Sequence, residues 1–134
     1  MPTLSLARQA MRRRIADKRG DLVFGTVNAG ASNVQFTLPA IDQLANATYL
    51  QGSEGTVIAA AGTTQTGRVS SHTVASGIAT IVVGASTGNV WSIPASGDVA
   101  EFHRIGGRGF TFQQYNNAIN DGQIIALAGP TWTA

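Results

Sequence analysis

Cysteine is absent from this chain of 134 residues, which excludes disulfide bonds and thiolate metal ligands and leaves the redox compartment undetermined. Charged residues are scarce as well, at 12% of the sequence, against about 25% in a typical soluble domain. Most other polar residues are Thr, Ser, Gln and Asn, which a neighbouring protein can cover without desolvating charge. This composition favours a protein that functions within an assembly.

Long hydrophobic segments are also lacking. No apolar run approaches the roughly 20 residues that a helix needs to cross a bilayer, and the N-terminus lacks the apolar segment of a secretory signal. The N-terminus is rich in arginine and poor in acidic residues, as transit peptides are, but Gly20-Asp21 leads directly into a predicted strand. We therefore expect no membrane partner and interpret the N-terminus as part of the folded protein.

The charge that is present is concentrated at one end. The first nineteen residues carry a net charge of +5, whereas residues 20–134 carry −3. Six of the nine basic residues lie in this first segment: Arg8, Arg12, Arg13, Arg14, Lys18 and Arg19. A basic end on a mildly acidic body is typical of a protein that docks onto a partner.

The spacing of apolar residues predicts a helix at each end of the chain. Over residues 4–19 the apolar positions are Leu4, Ala7, Met11 and Ile15, a spacing of three and four that places them on one helical face. A second helix is expected over residues 112–128, because Thr111 and Gln114 form a capping-box sequence, with Phe110 and Tyr115 as a hydrophobic staple.

Between the helices the apolar period changes to two, which predicts strands. We expect them near residues 22–27, 34–38, 54–60, 66–72, 78–83 and 99–104, with a short one near 90–93. Residues 28–32 are turn-like, and Ser76-Gly77 suits a tight hairpin.

These elements predict an α+β, mainly β fold. It consists of a basic amphipathic helix (residues 1–20), a small antiparallel barrel or sandwich (21–105), and a linker, C-terminal helix and tail (106–134). We expect the two helices to pack together and close one end of the β domain through Met11, Ile15, Tyr115 and Ile119.

Several short motifs between Asp21 and Arg104 occur in a recognisable order. They are Asp21-Leu22-Val23 after a basic helix, Tyr49-Leu50-Gln51-Gly52, Thr56-Val57-Ile58, the turn at 61–65, Arg68-Val69, Ile93-Pro94-Ala95-Ser96-Gly97-Asp98 and Glu101-Phe102-His103-Arg104. The stretch resembles a small β domain of structural proteins in tailed bacteriophages, in which a helix like Phe112–Ala126 commonly follows. Similar proteins often continue into a larger β domain, which leaves open whether this chain is an adaptor alone or the anchoring end of something larger. The resemblance implies scaffold residues and no catalytic centre.

The residues themselves give little indication of catalysis or of a cofactor. His72 and His103 are the only histidines, and no His/Asp/Glu cluster has the spacing of metal ligands. Glu101 and His103 are expected on the same face of a strand, where an ion pair explains them as well as acid–base chemistry does. The Gly106–Gly109 segment lacks the lysine of a phosphate-binding loop, so we interpret it as a linker.

The basic segment is the clearest functional signal. The candidate docking residues are the six basic residues of this segment and one tryptophan near the C-terminus: Arg8, Arg12, Arg13, Arg14, Lys18, Arg19 and Trp132. Arginines can pair bidentately with carboxylates of an acidic protein, bind nucleic acid weakly through phosphates, or remain a solvated face. We expect a non-enzymatic virion adaptor in the neck, tail or fibre-attachment region, bound to other virion proteins and to copies of itself in a symmetric ring. The alternatives are a head decoration protein and a nucleic-acid-binding barrel.

Overall fold

A computed structural model describes the backbone of residues 4–17, 22–32, 34–59, 63–84, 92–107 and 109–127, and the side chains of these residues except 4–6, 15–17, 107 and 123–127. Several predicted features lie outside this range, among them the strand residues Val90 and Trp91. Ser92 and Ile93, which follow them, are not in a strand.

Seven strands and two helices account for most of the described chain. The helices are α1 (Leu4–Asp17) and α2 (Phe112–Leu127). The strands are β1 (Val23–Thr26), β2 (Ala29–Ser32), β3 (Gln35–Pro39), β4 (Glu54–Ile58), β5 (Thr64–Ala75), β6 (Ile78–Val83) and β7 (Val99–His103). Short 3-10 turns occupy Asp42–Ala45 and Ile105–Gly107. The expectation of a mainly antiparallel β protein with a helix at each end is confirmed.

The strands form one sheet in the order β1-β7-β4-β5-β6-β3-β2, and every neighbouring pair is antiparallel. The long strand β5 pairs with β4 through its first residues and with β6 through its later ones. The two edge strands, β1 and β2, are consecutive in the chain, and the described ladders do not pair them with each other. The backbone between them switches partner, because Val27 N–H donates to Asp98 and Asn28 N–H donates to Thr37.

Strand β2 replaces the turn that the sequence predicted over residues 28–32. Ala29 and Gly30 pair with β3, and a register shift follows before Ser32. Small residues have little intrinsic strand preference, and it is the pairing with β3 that makes this segment a strand. A Cβ on Gly30 would lie 2.2 Å from the carbonyl oxygen of Pro94. Glycine at this position therefore permits the close approach of the two backbones.

The tight hairpin between β5 and β6 is confirmed. Ser76 and Gly77 both have positive φ, at 52° and 75°, as a two-residue hairpin turn of the primed type requires.

One face of the sheet carries the hydrophobic core. Phe36 and Phe102 stack at its centre with ring centroids 6.5 Å apart. Gly25 allows β1 to lie close to this core, since a Cβ there would be 2.9 Å from Leu38 and 2.9 Å from Leu44. The other buried members include Val23, Val27, Leu50, Val57, Val69, Ala79, Ile81, Val83, Ala100 and Ile105.

The two helices cover part of the opposite face. The predicted start of α2 is confirmed: Gln114 N–H donates to Thr111 Oγ1 at 3.1 Å, and Thr111 N–H donates to Gln114 Oε1 at 2.9 Å. Phe110 packs edge-to-face on Tyr115 with centroids 5.8 Å apart. The first turn of α2 is tied to the sheet, because Phe112 N–H donates to Glu54 Oε1 at 2.8 Å.

The helices pack on each other as expected, but the predicted face of α1 was wrong. Ala7 is exposed and Met11 is 45% exposed, whereas Gln9 and Arg12 are buried. Tyr115 and Ile119 are buried on the α2 side, as predicted. The face that α1 turns inward is determined by a carboxylate on the sheet, which the apolar spacing of the helix could not indicate. The side chain of Ile15 lies outside the described residues.

Candidate functional site

Strand β7 places two titratable side chains beneath the helices. Its alternation directs Ala100 and Phe102 into the core and Glu101 and His103 to the opposite face, as period-two geometry requires. Both Glu101 and His103 are 0% exposed. The prediction that they share a face is confirmed.

Arg12 of α1 reaches Glu101 through two hydrogen bonds. Its Nε donates to Oε1 at 3.1 Å and its Nη2 donates to Oε2 at 2.6 Å. The third guanidinium nitrogen, Nη1, donates to Asn116 Oδ1 of α2 at 2.8 Å. The guanidinium carbon lies 4.3 Å from the centre of the Phe112 ring. Arg12 thus joins α1, β7 and α2 through one planar, bidentate group.

The charge on Glu101 is stabilised by these neighbours. Burial alone would raise its pKa, but the adjacent His103 ring and the hydrogen bonds and positive charge of Arg12 outweigh burial and lower the pKa of Glu101 below its ordinary value. Removing one member of such a buried pair leaves the other charge uncompensated, which typically costs about 3–5 kcal/mol. The pair therefore fixes the position of α1.

His103 completes the buried cluster without access to solvent. Its Nε2 lies 3.6 Å from Glu101 Oε1, and its ring packs against Phe112 and Tyr115 with centroids 5.8 and 5.6 Å away. Neither ring nitrogen has a partner within normal hydrogen-bond distance among the described residues. A general base must be within reach of its substrate, so this buried geometry suits a structural contact.

His72 is buried on β5 and holds the loop before β4. Leu50 N–H donates to its Nδ1 at 3.3 Å, and its Nε2 donates to the carbonyl oxygen of Leu44 at 3.0 Å. These contacts fit a neutral ring with its proton on Nε2. Within the described residues, no three His, Asp or Glu side chains are placed to hold a metal ion.

The predicted docking residues differ in exposure and in their contacts inside the chain. Arg12 is 2% exposed and is engaged inside the chain, so it does not fit the prediction of contact with a partner. Arg8 is half-buried and donates to Asn120 of α2. Arg13 is half-buried and Arg14 is exposed. Lys18, Arg19 and Trp132 lie outside the described residues.

An aromatic side chain that the sequence analysis missed accompanies the remaining arginines. The guanidinium carbon of Arg13 lies 3.6 Å above the ring of Phe24, which is 46% exposed. Arg13, Arg14, Leu22 and Phe24 line one shallow pocket of about 220 Å³, which we call the basic edge. The outward position of Phe24 could have been found from the alternation of β1, but its contact with Arg13 depends on how α1 docks.

The sequence matches no protein-family model, and no curated protein or solved structure is significantly similar to it. In the part of the chain that the structure describes, neither helix is both long and apolar enough to cross a membrane.

Proposed function

We propose that this chain is a structural subunit of a tailed-bacteriophage virion, acting as an adaptor in the neck, tail or fibre-attachment region. The proposal is supported by the ordered motifs between Asp21 and Arg104 and by the scarcity of charge outside the N-terminal segment. The observation that carries it is the basic edge, a cationic and aromatic surface formed by α1 and β1 together.

The basic edge suits contact with an acidic protein. Arg12 and Arg8 fix α1 to the rest of the protein, so Arg13 and Arg14 are presented in one orientation. Arginine pairs bidentately with carboxylates, and Phe24 adds apolar area beside them. A stable contact of this kind buries on the order of 1,600 Å² in total, so the neighbour must also cover neutral surface around the edge.

We propose that the sheet curves into a small barrel. Two consecutive residues support this shape. Val27 N–H donates to Asp98 O on one side of the sheet, and Asn28 N–H donates to Thr37 O on the other. We propose no catalytic role, because both histidines are buried and each already packs or bonds within the chain.

Mass spectrometry of purified phage particles tests the proposal. We expect peptides of this chain in the particle, at the low copy number of a symmetric ring, with crosslinks from Lys18 to another virion protein. Hundreds of copies per particle would indicate head decoration instead. Absence of the chain from particles would contradict both.

A specific contact favours nucleic-acid binding as a second candidate. Exposed aromatic rings beside arginines can stack bases while the cations contact phosphates, and Phe24 with Arg13 and Arg14 provides this combination. Such binding weakens by orders of magnitude between about 50 and 200 mM salt. A titration of single-stranded and duplex DNA over this range, with Phe24→Ala and Arg14→Ala variants, distinguishes the candidates. The adaptor proposal expects no DNA binding.

A further inference from the structure

Strand β1 is an edge strand with an unpaired side. Val27 N–H donates to Asp98 O and Val27 O accepts from Gly97 N–H, both just before β7, and bonding direction alternates along an antiparallel strand. Val23 and Gly25 therefore bond to β7, whereas Phe24 and Thr26 direct their N–H and C=O groups away from it. Two residues of β1 thus present backbone donors and acceptors that no described residue pairs with.

The free side of β1 faces a groove. Asn28 N–H donates to Thr37 O at 2.8 Å, and from this point the two chain segments separate. Within residues 22–26 and 39–44, which the structure describes in full, no backbone hydrogen bond crosses the gap. The resulting groove has a volume of about 560 Å³ and is lined by Arg13, residues 22–26 and residues 39 and 41–44.

The sequence of β1 lacks three of the common protections against strand addition, although the strand is short, at four residues. Charged residues, proline and bulges are the common means of blocking an edge, and Val23-Phe24-Gly25-Thr26 contains none of them. The opposite edge strand, β2, has a register shift between Gly30 and Ser32. An edge without charge, proline or bulge and the groove therefore occur together on one side of the molecule.

The side chains around the groove define the chemistry of an occupant. Phe24 and Ile41 are 46% and 62% exposed, which favours apolar side chains facing them. The Nε of Arg13 is buried and has no hydrogen-bond partner among the described residues, and Arg14 lies beside it. Asp42 lies on the other wall and would repel an acidic group. An acidic group of the occupant is therefore expected near Arg13.

We propose that this groove binds an extended, acidic segment of another virion protein, which adds to β1 as a strand and places a carboxylate beside Arg13. Main-chain hydrogen bonds to Phe24 and Thr26 supply affinity, and the side chains supply specificity. The inference rests on the proposed function, because it names how the adaptor holds its neighbour.

Hydrogen exchange on the isolated chain and on intact particles tests the backbone part. The amides of Phe24 and Thr26 should exchange at least about ten times more slowly in the particle, since each gains a hydrogen bond that must break before exchange. The amides of Val23 and Gly25, bonded to β7 in both states, are the internal control. Equal rates for Phe24 and Thr26 in chain and particle would overturn the inference alone.

A proline variant tests the same edge by assembly. Thr26→Pro removes the outward N–H while leaving the bonds from Val23 and Gly25 to β7 intact, as proline is tolerated at a strand edge. Ala31→Pro, at the unpaired position of β2, is the matched control. We expect Thr26→Pro to lower incorporation into particles at least about tenfold and Ala31→Pro to leave it unchanged, with both purified variants folded by circular dichroism. Equal incorporation of the two folded variants would contradict strand addition.

Photo-crosslinking identifies the occupant. With p-benzoylphenylalanine in place of Phe24, we expect one crosslink to a segment containing Asp or Glu in another virion protein, and none from the same group placed at exposed Thr73. A crosslink to a second copy of this chain, or to nucleic acid, would overturn the inference. Absence of the chain from particles would overturn the proposed function and this inference with it.

Discussion

Arg12 and Glu101 are separated by 89 positions in the sequence, yet Arg12 Nη2 lies 2.6 Å from Glu101 Oε2 in a site closed to solvent. The interface of α1 is thus centred on an ion pair, while Met11, on the face expected to be buried, is 45% exposed. This contact determines how the protein should respond to substitution and to acid.

Removing either partner should strongly destabilise the fold. We expect Arg12→Ala and Glu101→Ala each to lower the free energy of unfolding by about 3–5 kcal/mol, because the remaining charge is buried without compensation. Urea denaturation followed by circular dichroism provides the measurement. Arg14→Ala, on the exposed side of the same helix, should change stability by less than about 0.5 kcal/mol.

A double variant distinguishes the attraction between Arg12 and Glu101 from the cost of burying one unpaired charge. Replacing both side chains with apolar ones (Arg12→Met with Glu101→Leu) should recover much of the loss, since no lone charge remains. If the double variant loses as much stability as the summed losses of Arg12→Met alone and Glu101→Leu alone, the pair is not coupled.

Acid should weaken the protein through Glu101. Because the folded-state pKa of Glu101 is lowered, its ionised form stabilises the fold fully above the ordinary glutamate pKa of about 4.3, and this stabilisation is lost as pH falls through the folded-state value. The difference in unfolding free energy between wild type and Glu101→Gln should therefore be constant from about pH 7 to 5 and shrink below about 4.3. A difference that stays constant from pH 7 down to about pH 3 would contradict this role of Glu101.

His72 should control the loop between β3 and β4. His72→Phe removes the hydrogen bonds to Leu44 and Leu50 and leaves their backbone groups unpaired, at a cost of about 1–3 kcal/mol. Amide exchange of residues 42–50 should accelerate more than that of β6. Uniform acceleration across the sheet would show that the effect is global.

Two glycine substitutions should have opposite signs. Gly25→Ala forces a methyl group to within 2.9 Å of Leu38 and Leu44, which should destabilise by about 1–3 kcal/mol. Gly122→Ala meets nothing within 4 Å and should stabilise by up to about 1 kcal/mol through helix propensity. Thermal unfolding of both variants provides the comparison, and a stabilising Gly25→Ala would contradict the tight packing of β1.

Local signals in the sequence predicted the parts of the fold that depend on neighbours in the chain. The capping box of Thr111 and Gln114 located the start of α2, and Ser76-Gly77 located a hairpin, because both depend on residues at most three positions apart. The features that the sequence did not predict depend on residues far apart in the chain. Strand β2 forms by pairing with β3, where Gly30 also lies against Pro94, and the inward face of α1 follows Glu101 rather than its own apolar residues.

The candidate site shows the same division. Alternation along β7 predicted that Glu101 and His103 share a face, but it gave no sign that Arg12 meets them there. The position of Phe24 beneath Arg13 likewise depends on how α1 sits on the sheet. Charge composition indicated the segment that carries the candidate site, whereas only three-dimensional packing distinguished the buried arginine from those at the surface.

The ion pair of Arg12 also restricts how α1 can be rotated. An apolar stripe tolerates small rolls and slides of a helix, since any contact of similar area is nearly as favourable. A planar guanidinium that must meet one carboxylate with two bonds allows a single azimuth. Every copy of the protein therefore presents Arg13 and Arg14 at the same angle, which is the condition for repeating one contact around a closed symmetric array.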